Sequence, residues 1–236
     1  HMPSLAYSCF IVPSRRIFPL PKKPNFSERL AFPRLSLRSS SLDSSFWSQL
    51  SAKILASLTR LMLITNAHII SPGLDREGAS VLIENGEIIE VANHTSGDLD
   101  LDGKMLLPGF IDIHSHGADG ADVCDASREG LEHIAQTKLK EGVTTWLPTT
   151  LTQPQEKLVE IVRTIGDWAA SAPLNVPGIH LEGPFINREQ AGAQNPQFVR
   201  PPDLNELREL HQIFPALILS LAPEIPGAFN IIREAS

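Results

Sequence analysis

The stretch Pro108-Gly-Phe-Ile-Asp-Ile-His-Ser-His-Gly117 decides the fold that this sequence predicts. Its apolar residues indicate a buried strand, and two histidines stand at the carboxyl end of that strand. Residues two apart on a strand point to the same side, so the imidazoles of His114 and His116 can enter one cavity and bind one divalent ion. We therefore expect His114 and His116 to be metal ligands.

Beyond this stretch, strand-like and helix-like segments alternate. Ser127 is a suitable helix cap, and apolar strands are predicted at 143–147, 176–181 and 216–221. Such a pattern fits either a doubly wound open sheet or a TIM barrel, and periodicity alone does not separate them. The candidate ligands favour the barrel, because TIM barrels place their chemistry at the carboxyl ends of strands and no Gly-rich phosphate loop follows the first strand.

The predicted fold class is α/β, a partial TIM (β/α)8 barrel preceded by a small β-unit. We assign residues 62–107 to the β-unit and residues 108–236 to the barrel. A whole barrel needs about 250 residues, so this stretch corresponds to roughly half of one. Within the β-unit, Asn85-Gly86 between two apolar runs predicts a hairpin.

A second motif is Gly178-Ile-His-Leu-Glu-Gly-Pro-Phe185, in which an apolar strand ends in a carboxylate. A carboxylate at such a position is costly unless it is paired, and a bound cation can be the partner. Glu182 is therefore the third expected metal ligand. His180 lies two residues earlier, and we interpret it as a structural residue that supports the site.

Together these motifs resemble the N-acetylglucosamine-6-phosphate deacetylase family of the amidohydrolase superfamily. The resemblance runs from about Met62 to Pro223. It implies a metal-dependent hydrolase of amino-sugar metabolism that converts N-acetylglucosamine 6-phosphate to glucosamine 6-phosphate and acetate. The expected cofactor is a divalent metal, zinc first, as one ion or as two bridged by Glu182.

The resemblance also implies groups that this sequence does not supply. The family has two further His ligands on middle barrel strands and a late Asp that transfers protons, and no residue here matches them. We assign no catalytic residue in this chain, expect it to look truncated and to be inactive alone, and expect its uncovered strand edges to promote association.

The loop from Ala191 to Arg200 resembles the family's substrate loop. Many members have His where this sequence has Gln194, and an amide can donate a hydrogen bond but cannot transfer a proton. We therefore expect Ala193 and Gln194 to be substrate contacts only.

Composition excludes several classes of partner. A formal net charge of -7 gives no basic surface for nucleic acid. No apolar run approaches the roughly 20 residues of a membrane span, and two distant cysteines give no disulfide framework. We expect a small phosphosugar as the partner, no nucleic acid, no membrane, and a homo-oligomer in the full-length protein.

Residues 1–61 differ from the rest, with basic, Ser-rich and Pro-rich composition and few acids. This composition is typical of a transit peptide or a disordered leader. We expect a cytoplasmic protein, or an imported one if the leader directs import.

Two other functions stay open from the sequence. One is another metal-dependent amidohydrolase, acting on a cyclic amide or a small amidated metabolite. The other is a non-catalytic fragment that retains half of the fold.

Overall fold

The computed structural model describes residues 10–11 and 61–235. Within these residues the chain forms two compact units that divide between Pro108 and Gly109, and the strand β1 (Phe10–Ile11) belongs with the second. The leader predicted at 1–61 lies outside the described residues, apart from β1 and residue 61. None of the described helices is long and apolar enough to cross a membrane.

The first unit is a small sheet of short and long strands. Its strands are β2 (Leu61–Ser71), β3 (Leu74–Glu84), β4 (Glu87–Ala92), β5 (Leu99–Asp100) and β6 (Met105–Leu106). The order is β4-β3-β2-β5, and β6 also pairs with β2. The three long strands are antiparallel, whereas β5 and β6 run parallel to β2.

The turn between β3 and β4 confirms the hairpin predicted at Asn85-Gly86. Both residues have positive φ, 53° and 84°, as the tight turn requires. The core of this unit is small and lies between β2 and β3, where Ala67, Ala79 and Val81 are buried.

The second unit contains the predicted strand and helix alternation. Its elements are β7 (Phe110–Ser115), β8 (Gly117–Ala118), β9 (Ala121–Asp122), α1 (Arg128–Lys140), β10 (Val143–Thr150), α2 (Gln155–Ala169), β11 (Ile179–Glu182), α3 (Leu204–Ile213), β12 (Ala216–Leu221) and α4 (Ala228–Ala235). The sheet order is β1-β12-β11-β10-β7. Strands β7, β10, β11 and β12 are parallel, β1 is antiparallel to β12, and β8 pairs with β9 in a separate hairpin.

Helices α1 and α3 of this unit begin at residues whose side chains cap them, whereas α2 begins without a side-chain cap. The Ser127 hydroxyl accepts a hydrogen bond from the Gly130 amide at 3.1 Å, which confirms the predicted cap of α1. Helix α2 buries an apolar stripe at helical spacing. The core behind the sheet includes Trp146 and Trp168, whose rings meet edge to face at 6.3 Å.

Two sequence predictions differ from the structure in detail. The strand predicted at 176–181 is shorter, because Pro177 has no amide to donate and pairing resumes only at Ile179. Strand β10 extends to Thr150, three residues beyond its predicted end. Because β7, β10, β11 and β12 are parallel, their carboxyl ends lie at one edge of the sheet, next to the loops that follow them.

Strand β7 lies at one end of the sheet order. Its apolar side chains Phe110 and Ile111 are 62% and 67% exposed, so the prediction of a buried strand at this position is wrong for the described residues. Within the described residues, no strand pairs with the side of β7 that faces away from β10. Association through this edge stays a prediction.

Candidate metal centre

Three predicted ligands converge at the carboxyl edge of the sheet. His114 lies near the end of β7, His116 follows one residue after that strand, and Glu182 ends β11. One ligand atom from each residue lies within 4.8 Å of the others. Parallel strands end at the same edge, so a motif on β7 and a motif 66 residues later on β11 meet there.

Both imidazoles approach the same carboxylate oxygen. The Nε2 atoms of His114 and His116 lie 2.8 Å and 3.1 Å from Glu182 Oε2. That oxygen is buried, yet neither nitrogen meets the angular requirement of a hydrogen bond to it. Two imidazole nitrogens beside one buried carboxylate oxygen that has no hydrogen bond form an arrangement that suits a divalent cation.

The charges of this cluster are strongly coupled. The close His116 imidazole holds the pKa of Glu182 at about 2, against the opposing effect of burial. The same carboxylate raises the pKa of His116 above its ordinary value. Glu182 is therefore ionised throughout the physiological range, which a metal ligand requires.

The tautomer of His116 follows from its other nitrogen. Nδ1 lies 3.1 Å from the Thr149 carbonyl oxygen, which can only accept, so Nδ1 carries the proton. Nε2 is then left with a lone pair directed at the Glu182 side. A carbonyl behind a histidine is the usual way in which proteins orient an imidazole ligand.

His180 is close to the cluster but has different contacts. Its Nδ1 lies 3.0 Å from the Ile113 carbonyl and its Nε2 lies 2.8 Å from the Ser220 hydroxyl. Burial lowers its pKa. With both nitrogens engaged and 2% of its surface exposed, His180 is placed as the structural residue that the sequence predicted.

The loop after β11 places Gln194 and Ala193 differently. The Gln194 side chain is buried, its Oε1 accepts a hydrogen bond from the Thr152 amide at 2.6 Å, and its amide helps to lower the pKa of the Glu182 carboxyl. Ala193 is exposed. The predicted substrate contacts are therefore one exposed and one buried residue.

Glycine is needed directly after Glu182. Gly183 has a φ of 76°, and a Cβ there would lie 2.2 Å from the Thr152 hydroxyl. The close approach of these two loops explains why the Glu-Gly-Pro motif has no side chain at its middle position.

The structure adds a buried ion pair that the sequence analysis missed. Lys138 Nζ contacts Asp112 Oδ2 at 2.5 Å, and the Lys138 side chain is 5% exposed. One signal was available, because Lys138 continues the buried stripe of α1 formed by Leu131, Ile134 and Ala135. A Lys at a core position of a helix indicates a buried partner.

Comparison with known proteins identifies the relatives of this architecture. The sequence profile of the amidohydrolase family matches residues 105–227. An N-acetylglucosamine-6-phosphate deacetylase of Lysinibacillus sphaericus is 33% identical over 183 residues, which are 74% of this chain and 47% of that protein. An N-acetylgalactosamine-6-phosphate deacetylase of Escherichia coli O157:H7 is 35% identical over 137 residues, which are 56% of this chain and 36% of that protein.

A solved structure agrees with the sequence relatives. The N-acetylglucosamine-6-phosphate deacetylase of Thermotoga maritima superposes with a TM-score of 0.61 at 33% identity, covering 73% of this chain and 45% of that one. The likeness confirms the predicted fold class, a partial TIM barrel preceded by a small β-unit. The chain spans about half the length of the relatives it matches.

Proposed function

This chain belongs to the amidohydrolase family, and on that premise we propose that it carries the first part of a site that hydrolyses the acetamido group of N-acetylglucosamine 6-phosphate. The products are glucosamine 6-phosphate and acetate. The convergence of His114 and His116 on Glu182 Oε2, a buried oxygen without a hydrogen bond, is the observation that supports this proposal most directly.

We propose zinc as the resident metal, because two imidazoles and a carboxylate are a donor set that zinc favours. When bound, the ion would lower the pKa of a water molecule and polarise the acetamido carbonyl. The protein's own contribution is to keep Glu182 ionised and to fix the His116 tautomer through the Thr149 carbonyl. A second ion bridged by Glu182 is a separate hypothesis, and metal analysis that finds one ion per chain would refute it.

The substrate class rests on the relatives and on the loop after β11. Relatives named for the N-acetylglucosamine and the N-acetylgalactosamine phosphates both match this chain. Ala193 and Gln194 are the proposed substrate contacts in this chain. We propose the glucosamine substrate, and comparing rates on the two epimers decides between them.

The proposal is tested by acetate release from N-acetylglucosamine 6-phosphate, measured on the product of the complete reading frame. Activity should depend on the metal and should fall at least about 100-fold in Glu182→Gln, because metal stabilisation of the reaction is worth several kcal/mol. Glu189→Gln, which changes an exposed acid in the following loop, is the matched control and should retain activity.

The 236-residue chain, assayed in parallel, should release no acetate. Among residues 61–235, no further His, Cys, Asp or Glu joins the three-residue cluster, and both nitrogens of the neighbouring His180 are engaged by other groups, so we expect no proton transfer from the described residues. Measurable release by this chain would contradict that expectation.

Other outcomes would favour the alternatives. Hydrolysis of a cyclic amide without acetate release would assign the protein to another branch of the family. A complete product that binds metal and hydrolyses neither class would favour a non-catalytic role. We propose action in the cytoplasm by a homo-oligomer, and both statements await fractionation and mass measurement.

A further inference from the structure

We propose that Lys138, through its buried pair with Asp112, is a positioning residue that holds the segment His114-Ser115-His116 in its ligating geometry. This inference rests on the proposed metal site and concerns how that site is built. The polar side chains behind the segment form one connected network that starts at α1 and ends at both histidines.

Asp112 is the centre of this network. Its Oδ1 accepts a hydrogen bond from the His114 amide at 3.0 Å, and its Oδ2 accepts from the Ser115 hydroxyl at 2.9 Å. Lys138 Nζ donates to the same Oδ2. An ionised carboxylate accepts all three bonds, so the backbone at the first histidine is fixed by the group that Lys138 neutralises.

Ser115 connects the network to β10. Its amide donates to the Thr149 hydroxyl at 3.0 Å, and its own hydroxyl accepts from Trp146 Nε1 at 2.9 Å. The Thr149 carbonyl in turn accepts from His116. Ser115 and His116 are therefore tied to β10, and the His114 amide is tied through Asp112 to Lys138 of α1.

The position of Lys138 argues for more than stability. Its ammonium group is taken out of water, 5.3 Å from the centroid of the Trp146 ring. A buried ion pair is usually no more stabilising than apolar residues of the same volume. A charged pair at this place is explained if the Asp112 carboxylate must accept hydrogen bonds from the segment His114-Ser115-His116. An apolar pair could not accept them.

The test uses the 236-residue chain and cobalt(II), whose visible absorption reports ligand geometry. Lys138→Met should weaken cobalt affinity about 10-fold to 100-fold, the range for groups that orient metal ligands, and should alter the absorption spectrum. The control is Val162→Ala, a buried change in α2. It should lower the melting temperature while affinity and spectrum stay as in the wild type.

A second variant keeps the proposal falsifiable if Lys138→Met does not fold. In Lys138→Met/Asp112→Asn both charges are gone, which relieves the unpaired buried charge. Weak affinity in this folded double variant supports the positioning role, whereas wild-type affinity and spectrum show that the pair is only a stabilising element. Unchanged affinity in a folded Lys138→Met also overturns the proposal. A wild-type chain that binds no cobalt refutes the proposed metal site itself, together with this inference.

Discussion

The rings of His114 and His180 have centroids only 4.9 Å apart, but their surroundings differ. His180 is buried, and protein groups from β7 and β12 engage both of its nitrogens. His114 is half exposed, and its Nε2 faces a carboxylate oxygen without forming a hydrogen bond. The comparison teaches that a structural histidine has its hydrogen bonds completed by the fold, whereas the candidate ligand faces the carboxylate of another candidate ligand without a hydrogen bond.

The largest effect should come from replacing His114, the candidate metal ligand of the two histidines. His114→Ala should reduce zinc affinity more than about 100-fold, beyond the range seen for groups that only orient ligands. Its effect on stability should be small because the side chain is 52% exposed. Calorimetric zinc titration and urea denaturation measure the two quantities. An unchanged affinity would remove His114 from the metal site.

The structural side should respond in the opposite way. His180→Ala leaves the Ile113 carbonyl and the Ser220 hydroxyl without their partner, and we expect a loss of about 2–3 kcal/mol in the free energy of unfolding. Zinc affinity should change far less than in His114→Ala.

Ser220→Ala is the matched control, because it removes only one of these two hydrogen bonds and should cost about 1 kcal/mol. A His180→Ala chain that is as stable as the wild type but binds no zinc would mean that His180 is a ligand and would abolish the distinction.

The sequence predicts the candidate ligands better than it predicts the buried contacts that support them. Strand alternation, the common edge of parallel strands and the family motifs together predicted that His114, His116 and Glu182 form one cluster, and the structure places their ligand atoms within 4.8 Å. Their metal binding stays a prediction. The cap at Ser127 and the hairpin at Asn85-Gly86 were likewise local signals, whereas the choice of a barrel rested on the positions of the candidate ligands.

The buried contacts that support the candidate ligands were not predictable from local sequence patterns. The pairing of Lys138 with Asp112 was missed, since helical periodicity identifies the buried positions of a helix and gives no partner for a buried charge. The Gln194 contact to the Thr152 amide joins two loops that are 42 residues apart, and only the folded path of the chain brings them together. The carboxylate of Glu206, in the first turn of α3, pairs with Arg200 of the preceding loop, a contact that no local pattern indicates.

A pH effect should sharpen the comparison in the metal-free chain. The pKa of Glu182 falls from 4.5 to about 2 on folding, so its contribution is complete above pH 4.5 and is lost as the pH falls toward 2. The pKa of His116 is raised above 6.5, so its contribution is complete below pH 6.5 and is lost as the pH rises through the raised value.

The stability difference between the wild type and Glu182→Gln should therefore be largest between pH 4.5 and pH 6.5. After allowance for solvent screening we expect about 1–2 kcal/mol. Urea denaturation at pH 3, 5.5 and 8.5 measures it. A difference that is constant over this range would show that the two charges are not coupled in solution.

The smallest effect concerns Gln194, which lies between the ligand side and the structural side. Its Oε1 accepts from the Thr152 amide as a structural group would, yet its amide also helps to lower the pKa of Glu182. If it mainly orients Glu182, Gln194→Ala should weaken zinc affinity by no more than about tenfold, the lower end for such groups. The exposed Gln197→Ala is the matched amide control and should change nothing.

If zinc affinity is kept while the complete product shows a raised KM for the phosphosugar, Gln194 contacts the substrate, as the family resemblance implies. The first result would make the Gln194 amide a group that orients Glu182, and the second would make it a substrate contact.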